Sequence, residues 1–204
     1  NKEKGYKLLN KNQNGSGIFN GGMQDSTINK NFSIVCFNSK QWIGNGLLIP
    51  SGPLREKLSS LKKADCVIIN GDKNIKIEEQ IIKNGNIDTK IFYSKYKISN
   101  MGEIKNKNLI AFAGIGNPSN FFSLLKENNL NIIKTIVFPD HHFYLEKEFE
   151  KILMKAKEID ASLVTTEKDY NRMNDYQKKN CIFVKVDLDI DNKNQFIDLI
   201  KSKI

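Results

Sequence analysis

The chain has 204 residues, a net charge of +9 at pH 7 and hydrophobic residues at 39% of its positions, enough for one or two apolar cores. No apolar run approaches the roughly 18 residues of a membrane-spanning helix, and the polar first residues contain no signal-peptide core. The three cysteines lie far apart within apolar runs, which excludes a disulfide framework or a zinc cluster and predicts buried thiols in a reducing compartment.

The strands and helices alternate along the chain. Strands are predicted at 33–38, 65–70, 109–115, 132–138, 162–167 and 181–187, with another near KIFYSKYKIS. Helical spacing predicts helices at 53–64, 117–130 and 145–159 and in the last stretch, KNQFIDLIKSKI. The lysine-rich segment 71–108 is otherwise predicted to be loops. Strand–helix–strand order implies right-handed crossovers, so the predicted fold class is α/β with mostly parallel sheets.

Two features could hold an anion at the carboxyl ends of parallel strands, where ligands collect. Arg55 falls in the first turn of the predicted helix 53–64, where a cation opposes the helix dipole unless an anion lies close by. The turn Gly114–Ile115–Gly116 leads from a strand into a helix N-terminus, which can bind an anion. Each feature also has a plain explanation, a solvated arginine and a tight turn that needs glycine.

Both histidines of the chain follow the predicted strand 132–138, in FPDHHFY. Pro139 ends that strand, so Asp140, His141 and His142 are expected to emerge at the ligand edge of the sheet. An aspartate beside a histidine supplies a carboxylate that orients or charges an imidazole, as in a general base. The alternative is a purely structural turn.

The next predicted strand ends in a similar way, in LVTTEKDYNRM. Its polar residues Glu167, Lys168 and Asp169 either contact a ligand or only cap the following helix. The sequence leaves both alternatives open.

Four of these stretches resemble one known family. NGLLIPSGPLREKLSSLKKAD, AFAGIGNPSNFF, FPDHHFY and LVTTEKD have the order and rough spacing of tetraacyldisaccharide 4'-kinase, the lipid A 4'-kinase, from about residue 18 to about residue 190. The resemblance implies ATP-dependent phosphorylation of the 4'-hydroxyl of a tetraacylated glucosamine disaccharide 1-phosphate, with ATP and Mg²⁺ as cofactors. It also implies a peripheral enzyme at the cytoplasmic face of the bacterial inner membrane.

The family is a divergent P-loop kinase with two α/β domains, which implies a domain division for this chain. Residues 1–32 are expected to be a remnant of the P-loop core, and residues 33–180 a Rossmann-like second domain. Residues 181–204 are expected to form a strand and helix that return to the core.

The resemblance also implies roles for individual residues. His141 matches the family's active-site histidine, which is expected to pair with an aspartate from the half of the family sequence that this chain lacks, and Asp140 beside His141 is also counted as catalytic. Arg55 matches an arginine implicated in activity and is the expected substrate-binding residue. Three further candidates for supporting roles are Gln24, His142 and Glu167.

Two departures from the family pattern bear on activity. The P-loop pattern G-x-x-x-x-G-K-[ST], whose amides and lysine hold phosphates, does not occur among the 13 glycines. The loop is therefore expected upstream of Asn1 or not at all, and the first residue is not Met, as in the inside of a longer chain. In IFNGGMQD, Asn20 and Gly21 stand where the family has two aspartates. Mg²⁺ needs oxygen ligands, so we predict a degraded metal site and a chain that is inactive or severely impaired as written.

Two other functions remain as alternatives. A catalytically dead relative would bind an acidic glycolipid or a nucleotide through Arg55 and the histidine loop, FPDHHFY at residues 138–144. A basic nucleic-acid-binding protein would bind any polyanion in a salt-sensitive way, but the lysines are scattered with no aromatic-interleaved stripe, so no nucleic acid is expected. The positive charge instead favours an anionic membrane surface.

Overall fold

The computed structural model describes residues 17–25, 27, 29–86 and 88–203. The chain divides into two compact units, of which the first reaches to Lys95 and resumes at Ile190, and the second is Tyr96–Asp189. These boundaries do not coincide with the predicted domain limits at residues 32 and 180, and the three-part domain assignment stays a prediction. None of the described helices is long and apolar enough to cross a bilayer.

One sheet, which lies mostly in the first unit, contains β1 (Ile34–Asn38), β2 (Cys66–Asn70), β3 (Lys90–Ile98) and β8 (Val186–Ile190), in the order β1-β2-β3-β8. β1 pairs in parallel with β2, and β2 pairs in parallel with β3. The chain leaves this unit within β3 and returns to it at the end of β8. The helices of this unit are a 3₁₀ helix (Leu58–Lys63), α1 (Ile75–Asn84) and α7 (Lys193–Lys201).

The two faces of β2 divide the core of the first unit. Val67 and Ile69 pack with Ile77 and Ile81 of α1. Cys66 and its neighbours on the opposite face pack with β3 and α7. Alternate side chains of a strand point to opposite faces, so a strand buried on both faces reads as the continuous apolar run that this sequence has.

The second unit is a parallel sheet with β4 at its centre, in the order β5-β4-β6-β7. Five consecutive residues of β4 are buried, and Phe112 at 0% exposure anchors an aromatic cluster with α4. The elements are α2 (Met101–Ile104), β4 (Asn108–Ala113), α3 (Pro118–Glu127), β5 (Ile132–Val137), α4 (Glu146–Glu158), β6 (Ala161–Thr166), α5 (Glu167–Tyr170), α6 (Asp175–Lys179) and β7 (Ile182–Val184).

The predicted α/β class with mostly parallel sheets is confirmed, but the predicted helix 53–64 is wrong in its first half. Only Leu58–Lys63 is helical, as a 3₁₀ helix. The amide of Leu54 donates to the carbonyl of Leu47, and its carbonyl accepts from the amide of Ile49. These hydrogen bonds form an isolated β-bridge between Leu48 and Leu54. Because the bridge occupies the backbone of Leu54, no helix begins there, and Arg55 lies outside any helix.

Two further element predictions are corrected. Segment 71–108 contains α1 and α2 besides the predicted strand, because Asn74 caps α1 by accepting from two backbone amides and because Ile77 and Ile81 bury its inner face. The predicted strand 181–187 is two strands separated at Lys185, whose amide donates to the Asn100 side chain.

Candidate active site

A cavity of about 1080 Å³ opens beside β1 in the first unit. Its lining includes Asn20, Gly21 and Gln24, which precede β1, and Arg55, which precedes the 3₁₀ helix. The lining of this cavity thus includes the two positions predicted to be a degraded metal site, one predicted supporting residue and the predicted substrate-binding arginine. Arg55 is exposed and, since no helix starts there, the argument from the helix dipole does not apply to it.

The segment at Asn20 and Gly21 does not fit Mg²⁺. Asn20 offers a neutral amide oxygen, and Gly21, at φ +63°, offers no side chain. The nearby carboxylate of Asp25 accepts hydrogen bonds from the amide and the hydroxyl of Thr27. Among the described residues, no three His, Cys, Asp or Glu side chains converge in a metal-binding group. Mg²⁺ is bound through carboxylates in an octahedral oxygen shell, which these residues do not supply.

The histidines lie at the carboxyl edge of the second unit's sheet, as predicted. β5 ends at Val137, and the following turn is tied to the end of β4: the amide of Phe138 donates to the Ala113 carbonyl at 2.9 Å, and that of His141 donates to the Gly114 carbonyl at 3.1 Å. His141 has a φ of +60°, which is uncommon for a residue with a side chain.

His141 projects into solvent with Asp140 beside it. Its side chain is 84% exposed, and its Nε2 lies 3.9 Å from Asp140 Oδ2, an ion-pair distance that is too long for a hydrogen bond. Asp140 Oδ1 accepts from the backbone amide of His141 at 2.9 Å, which holds the carboxylate close to the ring. Catalytic hydrogen bonds are often long in a protein without its substrate, so the arrangement suits an acid–base pair.

His142 has a different environment from its neighbour. Its Nε2 lies 2.6 Å from Glu148 Oε2, and its ring stacks on Phe138 with centroids 4.8 Å apart. With only 21% of its side chain exposed, it ties the loop to α4. These contacts favour the supporting role predicted for His142.

The three polar residues that follow β6 differ in their exposure to solvent. Glu167 and Lys168 are exposed at the start of α5, whereas Asp169 has 0% exposure. Asp169 Oδ2 accepts from the Thr166 hydroxyl at 2.7 Å and from the Gly114 amide at 3.1 Å. Asp169 therefore joins the ends of β4 and β6.

Two neighbours of Asp169, the partly exposed Arg172 and the buried Tyr144, were missed by the sequence analysis. Arg172 Nη2 lies 3.5 Å from Asp169 Oδ1, and its Nη1 donates to the Gly114 carbonyl at 3.2 Å. Burial, reinforced by the negative charge of Asp169, raises the pKa of Tyr144, so its hydroxyl stays protonated. The spacing T-x-x-D, a helix-cap signature, was the available signal for Asp169, but it predicts a cap and gives no indication of the link to β4.

The fold is of the parallel α/β class, and its polar candidate residues are grouped at the carboxyl edge of a sheet, where such proteins bind ligands. The family model of tetraacyldisaccharide-1-P 4'-kinase (LpxK) matches residues 2–204. The chain belongs to this family.

Curated relatives agree with the family assignment. The tetraacyldisaccharide 4'-kinase of Pelagibacter ubique is 45% identical over 188 residues, which is 90% of this chain and 60% of the relative. That of Rickettsia akari is 38% identical over 183 residues, covering 89% of this chain and 54% of the relative. The chain therefore spans between 54% and 60% of the length of these relatives.

A solved structure supports the fold. The chain resembles a crystal structure of the "apo" form of LpxK from Aquifex aeolicus in complex with ATP, with a TM-score of 0.60 and 19% identity, over 89% of this chain and 55% of that one. The likeness confirms the P-loop-kinase-like fold class.

Proposed function

We propose that this chain is part of a tetraacyldisaccharide 4'-kinase, a phosphotransferase that transfers a phosphoryl group from ATP to the 4'-hydroxyl of a tetraacylated glucosamine disaccharide 1-phosphate in lipid A biosynthesis. The family match over residues 2–204 supports the reaction class. The observation that carries the proposal is the exposed His141 beside Asp140 at the carboxyl edge of the second unit's sheet.

His141 and Asp140 act as the acid–base pair in this proposal. The imidazole takes the proton of the 4'-hydroxyl while that oxygen attacks the γ-phosphorus of ATP and ADP leaves. The Asp140 carboxylate orients the ring and stabilises the imidazolium that forms. A positioned general base contributes about 10²- to 10⁴-fold in rate.

Arg55 binds a phosphate in this proposal. Its guanidinium is exposed and lines the cavity of the first unit, and its planar fork matches phosphate oxygens in a bidentate way. Gln24 lines the same cavity and supports this site, while His142 and Glu167 support the histidine loop.

The nucleotide-binding part of the enzyme lies outside this sequence in our proposal, because none of its glycines forms a P-loop pattern. We assign no Mg²⁺ ligand among the described residues, because Asn20 and Gly21 do not supply the carboxylates that this ion requires. The chain alone is therefore expected to be inactive.

The proposed location is the cytoplasmic face of the bacterial inner membrane, with peripheral attachment. The acylated disaccharide phosphate would be presented there, and the net charge of +9 favours an anionic surface by about 1 kcal/mol for each basic residue close to it.

A chimera tests the proposed reaction. The part of the Pelagibacter ubique relative that its match leaves uncovered, where the resemblance predicts the P-loop, is joined ahead of Asn1, and the changes Asn20→Asp and Gly21→Asp are added. This protein is called the restored chimera below. We expect it to transfer ³²P from γ-labelled ATP to the tetraacylated disaccharide 1-phosphate. A folded restored chimera that is inert, with Arg55 and His141 intact, contradicts the proposal.

A second candidate function is a catalytically dead relative that binds an acidic glycolipid or a nucleotide. The missing carboxylates at Asn20 and Gly21 favour it. It predicts that the 204-residue chain binds the disaccharide 1-phosphate in calorimetry and that Arg55→Ala weakens this binding. Random duplex DNA serves as a control polyanion, and its equally tight, salt-sensitive binding would instead support the nucleic-acid alternative.

A further inference from the structure

We propose that Asp169 and Arg172 are positioning residues for His141, which they hold in place through the backbone of Gly114. The inference rests on the proposed role of His141 as the acid–base residue. Neither of these two side chains reaches the reacting atoms. They fix the backbone position from which the imidazole of His141 extends.

The amide side of Gly114 is held by Asp169. The Gly114 N–H donates to Asp169 Oδ2 at 3.1 Å, and the same oxygen accepts from the Thr166 hydroxyl at 2.7 Å. Asp169 has 0% exposure, so water does not compete for this carboxylate. The other oxygen, Oδ1, has no hydrogen-bond partner among the described residues, so the two donors to Oδ2 set the orientation of the carboxylate.

The carbonyl oxygen of Gly114 accepts hydrogen bonds from both Arg172 and His141. Arg172 Nη1 donates to the Gly114 oxygen at 3.2 Å. The His141 amide donates to the same oxygen at 3.1 Å and shares its hydrogen with Asp140 Oδ1 at 2.9 Å. A carbonyl oxygen has two lone pairs, so one oxygen serves both donors. Arg172 Nη2 also lies 3.5 Å from Asp169 Oδ1, an ion-pair contact without a hydrogen bond.

Gly114 also packs closely against the histidine loop. A Cβ at residue 114 would lie 3.0 Å from His142 Cβ, from the Pro139 carbonyl oxygen and from Tyr144 Oη, closer than ordinary van der Waals contact. The loop therefore lies directly against this backbone. His141 also adopts the left-handed φ of +60°, which is unfavourable for a residue with a side chain and persists only where surrounding bonds impose it.

Hydrogen exchange in the 204-residue chain tests the proposal directly. Asp169→Asn keeps the shape of the side chain and removes its charge. Asp175→Asn is the matched control, since Asp175 is exposed at the start of α6. We expect Asp169→Asn to speed exchange of the Gly114 and His141 amides by about tenfold or more while exchange of the Ala111 amide in mid-β4 stays unchanged.

The two histidine rings provide a second readout in the same sample. The chain has two histidines, so ¹H NMR gives two Cε1–H signals, which His142→Gln assigns. The signal of His141 is expected to shift or broaden in Asp169→Asn and to stay in place in Asp175→Asn. An unchanged His141 amide and ring signal in Asp169→Asn would overturn the proposal, as would a uniform rise in exchange that includes Ala111.

A second variant covers the case in which Asp169→Asn does not fold. Arg172→Lys keeps a cation beside Asp169 but lacks the fork that also reaches the Gly114 carbonyl. It is expected to speed exchange at His141 and to leave the Gly114 amide, which Asp169 still holds, protected. Equal protection of His141 in the wild type and in Arg172→Lys would contradict the role of Arg172.

Kinetics of the restored chimera separate positioning from mere stability. Asp169→Asn should lower kcat by about tenfold or more with the KM for ATP unchanged, and should cost little further when His141→Ala is already present, because the two act as one unit. Independent, multiplying losses would overturn the positioning role. If the restored chimera has no activity at all, the proposed function fails while the exchange measurements still decide the positioning of the loop.

Discussion

The two candidate regions differ in how their polar groups are built into the protein. In the second unit, Asp169 is fully buried and bonded to two elements, so the fold itself depends on the network beneath His141. In the first unit, Asn20 and Gly21 are exposed at the edge of a cavity. Replacing side chains at the exposed positions costs no packing, whereas replacing Asp169 would. Substitutions at residues 20 and 21 are therefore expected to cost less stability than a substitution at Asp169.

The same contrast extends to the apolar cores. The histidine loop lies on an aromatic cluster in which Phe112 meets Phe138, Tyr144 and Phe149 edge to face. The first unit packs mainly aliphatic side chains around Val67 and Ile69. Edge-to-face ring contacts stabilise a core by more than their buried area alone would, so this cluster stabilises the core beneath the histidine loop.

The largest expected effect comes from removing a ring of this aromatic cluster. Phe112→Ala should lower the free energy of unfolding by about 3–5 kcal/mol, because it removes a fully buried ring and leaves a cavity. Urea unfolding followed by the two histidine signals, both of which arise in the second unit, measures the loss. Phe143→Ala is the control, since that ring is 73% exposed, and a similar loss in both variants would refute the packing account.

The next effect separates the two histidines. In the restored chimera, His141→Ala should lower kcat by about 10²-fold or more, the usual consequence of losing an acid–base group. His142→Ala should lower it by less than about tenfold, because that ring only anchors the loop to Glu148. Equal and small losses for both changes would mean that FPDHH is a structural turn.

A smaller effect tests the first unit. Arg55→Ala should lower kcat/KM for the disaccharide phosphate by about tenfold or more, the scale of one charge-assisted hydrogen bond. Lys57→Ala removes a neighbouring exposed cation and should change kcat/KM by less than about twofold. If Lys57→Ala costs as much as Arg55→Ala, the site responds to general charge and does not bind phosphate through Arg55.

A further effect is shared by both regions and concerns alkaline pH. Burial raises the pKa of Cys66 in the first unit and of Cys181 in the second to about 12, from an ordinary 9.0. The unfolded thiols release their protons at lower pH than the folded ones, so the free energy of unfolding is unaffected below about pH 9 and falls as the pH rises toward 12. Urea unfolding at about pH 8 and about pH 10.5 measures the fall, and Cys66→Ala should reduce its slope. An identical slope without Cys66 would show that this thiol does not contribute.

Much of the fold was predictable because buried parallel strands leave a strong signal. The runs around Val67 and Phe112 are continuous and β-branched or aromatic, and both form central strands. The helix α1 was missed because segment 71–108 as a whole is weakly periodic, although the Asn74 cap and the buried Ile77 and Ile81 stabilise this helix. Local spacing favoured a helix at Leu54, but a backbone bridge to Leu48 overrides it.

The candidate site was predictable only where residues follow a strand directly. Pro139 marked the end of β5, so the position of His141 at the sheet edge followed from the sequence. The contact between Asp169 and Gly114 joins residues 55 positions apart, and no local pattern records such a pairing. The distinction between buried Asp169 and exposed Glu167 likewise depends on which side of α5 meets the sheet.

The most direct test of the central contrast compares two chimeras that differ only at residues 20 and 21. Both carry the intact histidine loop, and one keeps Asn20 and Gly21 while the restored chimera has Asn20→Asp and Gly21→Asp. We expect the restored chimera to phosphorylate the tetraacylated disaccharide 1-phosphate at least about 10²-fold faster, since metal-assisted charge stabilisation is worth several kcal/mol. Equal rates would contradict the account, because they would show that the missing carboxylates in the first unit do not limit the chemistry.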